Sequence, residues 1–461
     1  IISVAGTEQA QKISIQTANG SSDAYLGKWA FSSFRLNESV TLQSAEHIPY
    51  AVTPPIFLAH AAHRKRLVLN ILVDGLSWAA ARTRFSSHMP HIAAFFSRGT
   101  IFDQNFSTSE YTYPALAAVE TGCYPHHIQV FNEQDSHELP SDFLTLSECM
   151  KDLGYYCAAP MAPTQGISHG MLRGFDRAIV SSWVLSTAFG VDSVIRHLRA
   201  FDEVDQYLSL VTLDIHPYNA FGFKFDTAVE THLPLAERFL SHDAATASVR
   251  LPRLRIYQEQ YLERLQQVDR NLELLYSYLE ENYTEDEYLV TLYSDHGIAI
   301  FGSTATGSID VISECSTSAT WMMRGAGVPT GVTVHDLTSS VDIYPTLGHL
   351  CDFPVANDID GRLPAIFGGT ARDAVYTASQ YPGQSYKLAI RTHDHTLRLE
   401  TQEAVGEDGT VDFMITRTGI YPRGHEWEKE YEIDSTQLRE FFYPRAQDFV
   451  REIANNGEVF A

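Results

Sequence analysis

Four near-continuous apolar runs, which alternate with helix-like stretches along the middle of the chain, constrain the fold most. They are RLVLNILVDG (66–75), GYYCAAP (154–160), YLSLVTLDIH (207–216) and EYLVTLYSDHG (287–297). Strands that are apolar on both faces belong in a parallel sheet covered by helices. A single apolar stripe at helical spacing precedes the last run and predicts a long core helix: Tyr257, Tyr261, Leu265, Val268, Leu272, Leu275 and Leu279. We therefore predict a three-layer α/β/α core with a mostly parallel sheet.

The segments on either side of this core have a different pattern. Residues 1–60 carry short alternating pieces between Gly, Ser and Asn turns, which predicts a small accessory β segment. After about residue 370, the pieces YKLAIRT, HTLRLET and VDFMITRT predict an antiparallel sheet, and an amphipathic helix follows. The predicted organisation is thus an N-terminal segment (1–60), a catalytic core (61–368) and a C-terminal α+β subdomain (369–461).

Composition excludes several classes of partner. The 461 residues include 33 basic and 57 acidic ones, for a formal charge of −24. Binding to a nucleic-acid polymer or to an anionic membrane face requires basic patches, so neither is expected. No apolar run is long enough to span a bilayer. The five cysteines form no CxxC pair, so we expect small buried apolar residues rather than a disulfide framework or a thiolate zinc site.

Three of the apolar runs end in acidic or imidazole side chains. Asp74 ends the first, Asp214 and His216 end the third, and Asp295 and His296 end the fourth. Ligands of open α/β sheets bind beyond the carboxyl ends of the strands. Carboxylate and imidazole groups suit zinc and manganese, so the endings together predict a divalent-metal site, with one ion favoured and two possible. Each ending alone is equally compatible with a helix cap or a turn.

The stretch TYPALAAVETG places a hydroxyl at the start of a short helix. Thr112 lies two residues before Pro114, and Gly122 ends the helix-like run. The positive end of a helix attracts anions and favours an alkoxide, although a lone Thr-x-Pro is more often a simple cap. Thr108 and Ser109 are alternative nucleophiles, and Pro114 favours Thr112 because it fixes the helix start.

The ordered series of these motifs resembles the alkaline phosphatase/sulfatase superfamily over roughly residues 66–365. The series comprises VDG at Asp74, TYPAL, TGCYP (121–125), GFD (174–176), SDHG (294–297), VDIYPT (341–346) and DIDGRLP (358–364). The resemblance implies that Asp74, Asp295 and His296 ligate a metal, and that Thr112 is both ligand and nucleophile. It also implies an extracytoplasmic or periplasmic location, and the residues themselves leave a cytoplasmic one open.

Three further roles follow from the resemblance. Asn132 would contact a phosphate oxygen, and His216 would contact substrate or protonate the leaving group. Asp214 would ligate metal, and a second ion would need another histidine, for which His393 or His395 is the candidate.

Departures from the sulfatase pattern indicate the reaction class. Thr112 stands where sulfatases oxidise Cys or Ser, Leu116 replaces their Arg, and no Lys precedes Glu314. These differences favour phosphate mono- or diesters, cleaved through a phospho-threonine intermediate by hydrolysis or transfer. The expected substrate is a small anionic ester or a phosphorylated glycan or lipid headgroup. The alternatives are a sulfatase-like hydrolase of sulfate or phosphonate esters, and a non-catalytic binding module.

Overall fold

The computed structural model describes residues 1–44, 47–131, 139–161, 172–180, 186–216, 225–238, 248–302 and 309–453. The chain divides into two compact units. One consists of Ile1–Arg64 and Phe201–Asp205, and the other of Lys65–Ala200 and Gln206–Ala461.

The first unit is built from two antiparallel three-stranded sheets. Its strands are β1 (Ile2–Gly6), β2 (Gln11–Thr17), β3 (Gly20–Leu26), β4 (Ser32–Phe34), β5 (Thr41–Ser44) and β6 (Tyr50–Val52). Their orders are β4-β1-β6 and β3-β2-β5, around a small core of Val4, Ile13 and Leu26. The buried Asp205 carboxylate accepts hydrogen bonds from Ala61 N (2.9 Å) and Arg64 Nε (2.8 Å), which holds residues 201–205 in this unit. The predicted N-terminal β segment is confirmed.

The second unit contains most of the chain. Its strands are β7 (Leu67–Val73), β8 (Thr100–Phe102), β9 (Asn105–Phe106), β10 (Tyr156–Met161), β11 (Arg177–Val180), β12 (Gln206–Thr212), β13 (Tyr288–Tyr293), β14 (Trp321–Gly325), β15 (Val332–Val334), β16 (Thr338–Ser339), β17 (Val375–Ser379), β18 (Ser385–Arg391), β19 (His395–Ala404) and β20 (Ile415–Pro422). Its helices are α1 (Trp78–Ala81), α2 (Phe85–His88), α3 (Pro90–Phe96), α4 (Thr112–Thr121), α5 (Pro125–Ile128), α6 (Leu146–Asp152), α7 (Thr187–Ala200), α8 (Thr227–His232), α9 (Arg255–Asn282), α10 (Glu314–Thr317), α11 (Ile343–Cys351) and α12 (Thr436–Ile453).

An eight-stranded sheet in the order β11-β10-β12-β7-β13-β14-β8-β15 forms the centre of this unit. The five strands from β11 to β13 run parallel, whereas β14 pairs antiparallel with both β13 and β8. In register, Ile71 of β7 lies between Leu210 of β12 and Leu292 of β13. The predicted mostly parallel sheet is confirmed, and three of the four apolar runs form its adjacent central strands β12, β7 and β13.

Both faces of the sheet are buried, as the continuous apolar runs require. Leu69 and Ile71 of β7 pack into a cluster with α3, α7 and α9. Val68 and Leu72 point the other way, into a cluster with α4, α6 and α11. The predicted stripe of α9 is buried along its length, which confirms it as core.

A four-stranded antiparallel sheet, β17-β18-β19-β20, and α12 form the C-terminal part of the unit. Tyr386, Leu388 and Ile390 of β18 pack with Phe442 of α12. This confirms the predicted antiparallel subdomain, while the boundaries at residues 60 and 368 stay predictions.

The cysteines are free and differ in burial. Three of them, Cys123, Cys149 and Cys157, are buried as expected, but Cys315 and Cys351 are partly exposed. No helix within the described ranges is both long and apolar enough to cross a bilayer.

Candidate active site

Three neighbouring strands bring the predicted site residues to one edge of the sheet. Because β12, β7 and β13 are parallel, their carboxyl ends lie side by side. Asp74 follows β7, and its backbone N donates to Thr212 O at 3.0 Å. Gly75 then turns the chain with φ +74°, a conformation that glycine adopts without strain. Its amide donates to Asp295 Oδ1 at 3.1 Å, so the ends of β7 and β13 are fixed to each other.

Thr112 is the first residue of α4, so this helix begins two residues earlier than the position of Pro114 indicates. Gly122 ends the helix in the left-handed conformation (φ +72°), as predicted. The Thr112 hydroxyl lies 3.3 Å from Asp74 Oδ2 and 3.4 Å from His296 Nε2. The alternative hydroxyls are buried, and Ser109 Oγ donates to Glu110 Oε2 at 3.0 Å. Of the three hydroxyls, that of Thr112 is the one for which the described residues show contacts with the strand-end side chains.

His296 is held in one tautomer by the backbone. Its Nδ1 lies 2.7 Å from the carbonyl oxygen of Gly297, and a carbonyl only accepts, so Nδ1 carries the hydrogen. In the neutral ring, Nε2 then presents a lone pair. This atom is 3.4 Å from Asp295 Oδ2 and 3.8 Å from Asp74 Oδ1. At Gly297, a Cβ would lie 2.2 Å from Cys315 O, so only glycine fits beside this histidine.

Several distances among the donor atoms of these residues are those expected around a divalent cation. Ligand bonds of about 2.1 Å in a tetrahedral site separate the donors by roughly 3.4 Å. Thr112 Oγ1 lies 3.3 Å from Asp74 Oδ2 and 3.4 Å from His296 Nε2, and His296 Nε2 lies 3.4 Å from Asp295 Oδ2 and 3.8 Å from Asp74 Oδ1. These separations are of that size but involve both oxygens of Asp74, and the group whose ligand atoms all lie within 4.8 Å consists of Asp74, His216 and His296. Asp295 Oδ1 accepts from two backbone amides, whereas Asp295 Oδ2 is buried with no hydrogen-bond partner among the described residues. A buried carboxylate oxygen of this kind suits a metal ligand.

His216 also reaches this cluster. Its Nε2 lies 3.8 Å from Asp74 Oδ1, and one ligand atom each from Asp74, His216 and His296 falls within 4.8 Å of the others. Burial, with a smaller contribution from His296, lowers the pKa of His216 to about 3. The ring is therefore neutral at neutral pH and has no ready proton to give.

Asp214 is not brought into this cluster. Its Oδ2 accepts hydrogen bonds from the backbone N and the Oγ1 of Thr187, the latter at 2.6 Å. Thr187 begins α7, so Asp214 satisfies one of the amides that would otherwise lack a partner at a helix start. These contacts give Asp214 a capping role.

Three other predicted positions are Asn132, His393 and His395. Asn132 lies outside the described residues. His395 begins β19 and His393 is exposed just before it, and the metal-ligand groups found among the described residues contain neither.

Glu110 is a neighbour of the site that the sequence motifs did not reveal. Its buried carboxyl accepts from Ser109 and, at 2.5 Å, from Ser379 of β17. Burial is the main cause that raises the pKa of Glu110 above its usual value. It lines a small pocket beside the strand ends together with Gly75, His216, Val249, His296, Gly297, Ile298, Ala299 and Ser316. Its position two residues before Thr112 was the available sequence signal.

The sheet and the cluster at its edge define the class. A covered, mostly parallel sheet with carboxylate, imidazole and hydroxyl groups gathered at its strand ends is the arrangement of the alkaline phosphatase/sulfatase superfamily. Within it, the chain belongs to the Sulfatase family, whose family model matches residues 66–353. The resemblance inferred from the motifs is thereby confirmed.

One curated relative is also named as a sulfatase. The chain is 31% identical over 102 residues to a Caenorhabditis elegans protein named "Putative extracellular sulfatase Sulf-1 homolog". That match covers 22% of this chain and only 14% of the relative.

Solved structures match over much more of the chain. A phosphonate monoester hydrolase from Silicibacter pomeroyi is 16% identical, with a TM-score of 0.61 over 85% of this chain and 96% of its own. A protein in complex with its substrate D-glucosamine-2-N,6-O-disulfate is 15% identical, with a TM-score of 0.59 over 85% of this chain and 99% of its own. At such identities the likeness establishes the fold. Together with the family, it supports a sulfatase-like hydrolase, which the sequence analysis had placed second to a phosphate esterase.

Proposed function

We propose that the protein is a metal-dependent hydrolase of phosphate or phosphonate esters, with Thr112 as its covalent nucleophile. The observation that carries the proposal is the position of the Thr112 hydroxyl. It lies at the start of α4, 3.3 Å from Asp74 and 3.4 Å from His296.

Asp74, Asp295 and His296, with Thr112, would hold the cation. Imidazole and carboxylate donors favour Zn²⁺ or Mn²⁺. When bound, such a cation lowers the pKa of a coordinated hydroxyl and withdraws charge from ester oxygens.

The proposed reaction has two displacements at phosphorus. In the first, a bond forms between Thr112 Oγ1 and phosphorus, the ester P–O bond breaks, and the leaving oxygen takes a proton from water. The Thr112 proton passes to an acceptor such as Asp74 Oδ2, which its hydroxyl already contacts. In the second, water attacks phosphorus and gives up a proton to solvent, the bond between phosphorus and Thr112 Oγ1 breaks, and Oγ1 takes back the proton held by the acceptor, which restores the hydroxyl.

Two other features would assist this chemistry. The positive end of the α4 helix dipole favours the negative charge that develops on the equatorial oxygens. His216 is neutral, so we assign it a hydrogen bond to a substrate oxygen rather than the role of leaving-group acid.

The charge around the site favours singly charged esters. The carboxylates of Asp74 and Asp295 balance one divalent ion, and Glu110 lies buried beside them. The described residues that line the pocket include neither lysine nor arginine. A dianionic phosphate monoester would therefore be poorly compensated, whereas a phosphodiester or a phosphonate monoester carries one charge.

Hydrolysis of a sulfate ester is the second candidate. A sulfate monoester is also a singly charged tetrahedral ester, and the family and the C. elegans relative favour this substrate. Thr112 argues against it, because sulfatases use an aldehyde made from Cys or Ser at this position. The name of the same relative supports an extracytoplasmic location.

A substrate panel tests both candidates. Aryl esters of a phosphonate, a phosphodiester, a phosphomonoester and a sulfate would be assayed with and without chelator. We expect chelator-sensitive turnover that is fastest on the phosphonate or the diester. Faster turnover of the aryl sulfate would replace the proposal with the second candidate.

Variants of the nucleophile complete the test. Thr112→Ala should lower kcat by several orders of magnitude, because the covalent path is lost, and Thr112→Ser should retain part of the activity. Thr108→Ala is the matched control, and its kcat should stay near the wild-type value. Equal activity of Thr112→Ala and wild type would reject the mechanism.

A further inference from the structure

A second group of metal-ligating side chains lies where α12 packs against α5. His126, His127 and Glu452 each offer one ligand atom, and these three atoms lie within 4.8 Å of one another. The His126 side chain is only 3% exposed, that of His127 35% and that of Glu452 47%, so the group is reachable from solvent. None of the three belongs to the motifs that defined the strand-end site.

The local fold places the two histidines together. Pro125 begins the single turn of α5, which presents His126 and His127 in succession. The ring of His126 packs edge-on against Phe449 of α12, with centroids 4.7 Å apart. Phe449 and Glu452 are three residues apart on α12 and therefore share a face. The aromatic contact thus brings the Glu452 carboxylate over both histidines.

Asp360 orients the second histidine. Its Oδ2 lies 2.7 Å from His127 Nδ1 and accepts from the Tyr124 backbone N at 2.6 Å. An ionised carboxylate only accepts, so His127 Nδ1 carries a hydrogen and the neutral ring presents the Nε2 lone pair outward. A histidine held by a carboxylate on one nitrogen is the usual arrangement of a metal-ligating imidazole.

Both imidazoles face the same oxygen. His126 Nε2 is 3.2 Å and His127 Nε2 is 3.7 Å from Glu452 Oε2. A proton on His126 Nε2 accounts for the first contact as a hydrogen bond. The second contact requires a cation or a proton between His127 Nε2 and Glu452 Oε2. The hydrogen bond to Asp360, with a smaller contribution from Glu452, raises the pKa of His127, so a proton competes with a cation for this place.

We infer that His126, His127 and Glu452 form a second cation site, with Zn²⁺ as the best-matched ion. Two imidazoles and one carboxylate are a frequent zinc ligand set, and water would complete the coordination. The ion would join the end of α12 to the turn that follows α4, the helix that begins at Thr112. This site stands independently of the proposed function.

Zinc binding to tag-free protein tests the inference. Zinc content after dialysis and zinc titration would be measured for wild type, Asp295→Asn and Asp295→Asn/Glu452→Gln. The first substitution removes a ligand of the strand-end site and leaves the second site intact. We expect Asp295→Asn to keep one zinc, and the double variant to bind it at least about tenfold more weakly. In Asp295→Asn protein loaded with Co²⁺, visible absorption should decrease when Glu452 is replaced.

Two further variants make the test specific. Asp360→Asn should weaken zinc binding by roughly 10- to 100-fold, as expected for the orienting partner of a ligand. His335→Ala is the matched control, since its Nδ1 also contacts an aspartate, Asp103, at 2.8 Å on the surface. It should leave zinc binding unchanged. If Asp295→Asn binds no zinc, or binds it equally with and without Glu452→Gln, the three residues form only an ion pair and the inference is wrong.

Discussion

The strand-end site and the α5–α12 cluster use the same chemistry on different supports. In each, an acceptor holds a histidine Nδ1: the Gly297 carbonyl for His296, and the Asp360 carboxylate for His127. In each, Nε2 then faces carboxylate oxygens. Asp74, Asp295 and His296 directly follow two central strands of the sheet and are buried. Glu452 lies in the last turn of the terminal helix α12, and its side chain is 47% exposed.

The two groups therefore differ in how firmly the backbone holds their side chains. Asp74 and Asp295 are fixed by strand pairing and by the Gly75 amide, so their geometry persists without any ion. The α5–α12 cluster depends on the docking of α12. We therefore expect the first to determine turnover and the second to affect mainly local stability.

The largest predicted effect is a difference in kcat/KM between a variant of the strand-end site and a variant of the α5–α12 cluster. Asp295→Asn should lower kcat/KM on the best ester by about a thousandfold or more, because several kcal/mol of metal-dependent stabilisation are lost. Glu452→Gln should change kcat/KM by less than about twofold. Steady-state kinetics at saturating Zn²⁺ would measure both. A comparable loss in Glu452→Gln would remove the distinction.

The second prediction breaks the docking of α12. Phe449 is buried and packs on His126 and, with centroids 5.0 Å apart, on Tyr376. Phe449→Ala should lower the free energy of unfolding by about 4 kcal/mol and weaken zinc binding at the α5–α12 cluster.

The exposed aromatic on the same helix serves as the control. Tyr443→Ala should change the free energy of unfolding by no more than about 0.5 kcal/mol. Denaturant titration of both variants would show the difference. Unaltered zinc binding in Phe449→Ala would show that the cluster does not need a docked α12.

The third prediction concerns Glu120 of α4, the helix that runs from Thr112 of the strand-end site to the turn before α5. Burial raises the pKa of Glu120 from 4.5 to about 7. A folded-state pKa above the unfolded one contributes stability that is complete below pH 4.5 and is lost as the pH rises through 7. Over this window the free energy of unfolding should fall by about 3 kcal/mol. Glu120→Gln should remove this part of the slope in urea titrations at pH 5 to 8, and an identical slope in both proteins would contradict the assignment.

The smallest predicted effect provides a baseline for both regions. Thr145 and Glu148 form a capping box at the start of α6, with Glu148 Oε2 accepting from Thr145 N at 2.9 Å. Thr145→Ala should lower the free energy of unfolding by about 1 kcal/mol. Zinc content and kcat/KM should both stay at wild-type values. A change in either would show that general loss of stability disturbs the sites.

The sequence allowed prediction of the central sheet and the strand-end residues because both are local signals. Continuous apolar runs mark strands buried on two faces, and residues directly after parallel strands must share an edge. The short antiparallel strand β14 was not predicted, since five residues give no periodicity of their own. The side-chain direction of Asp214 also escaped prediction, because its partner Thr187 lies 27 residues away.

The α5–α12 cluster could not have been predicted in this way. His126 and Glu452 are 326 residues apart, and neither lies in a pattern that indicates metal binding. Only the packing of α12 on α5 brings them together. Contacts of this kind depend on tertiary structure rather than on spacing.

The position of β7 in the sheet has a consequence for biosynthesis. Both of its neighbours come much later in the chain: Val73 pairs with Thr212, and Leu72 with Tyr293. On the ribosome, this mostly apolar strand therefore emerges with both edges open. One edge stays open until β12 has been added and the other until β13 has been added. Such an edge is a template for aggregation. The same strand order that places Asp74 beside Asp295 thus leaves an edge of the nascent polypeptide open to intermolecular pairing for much of its synthesis.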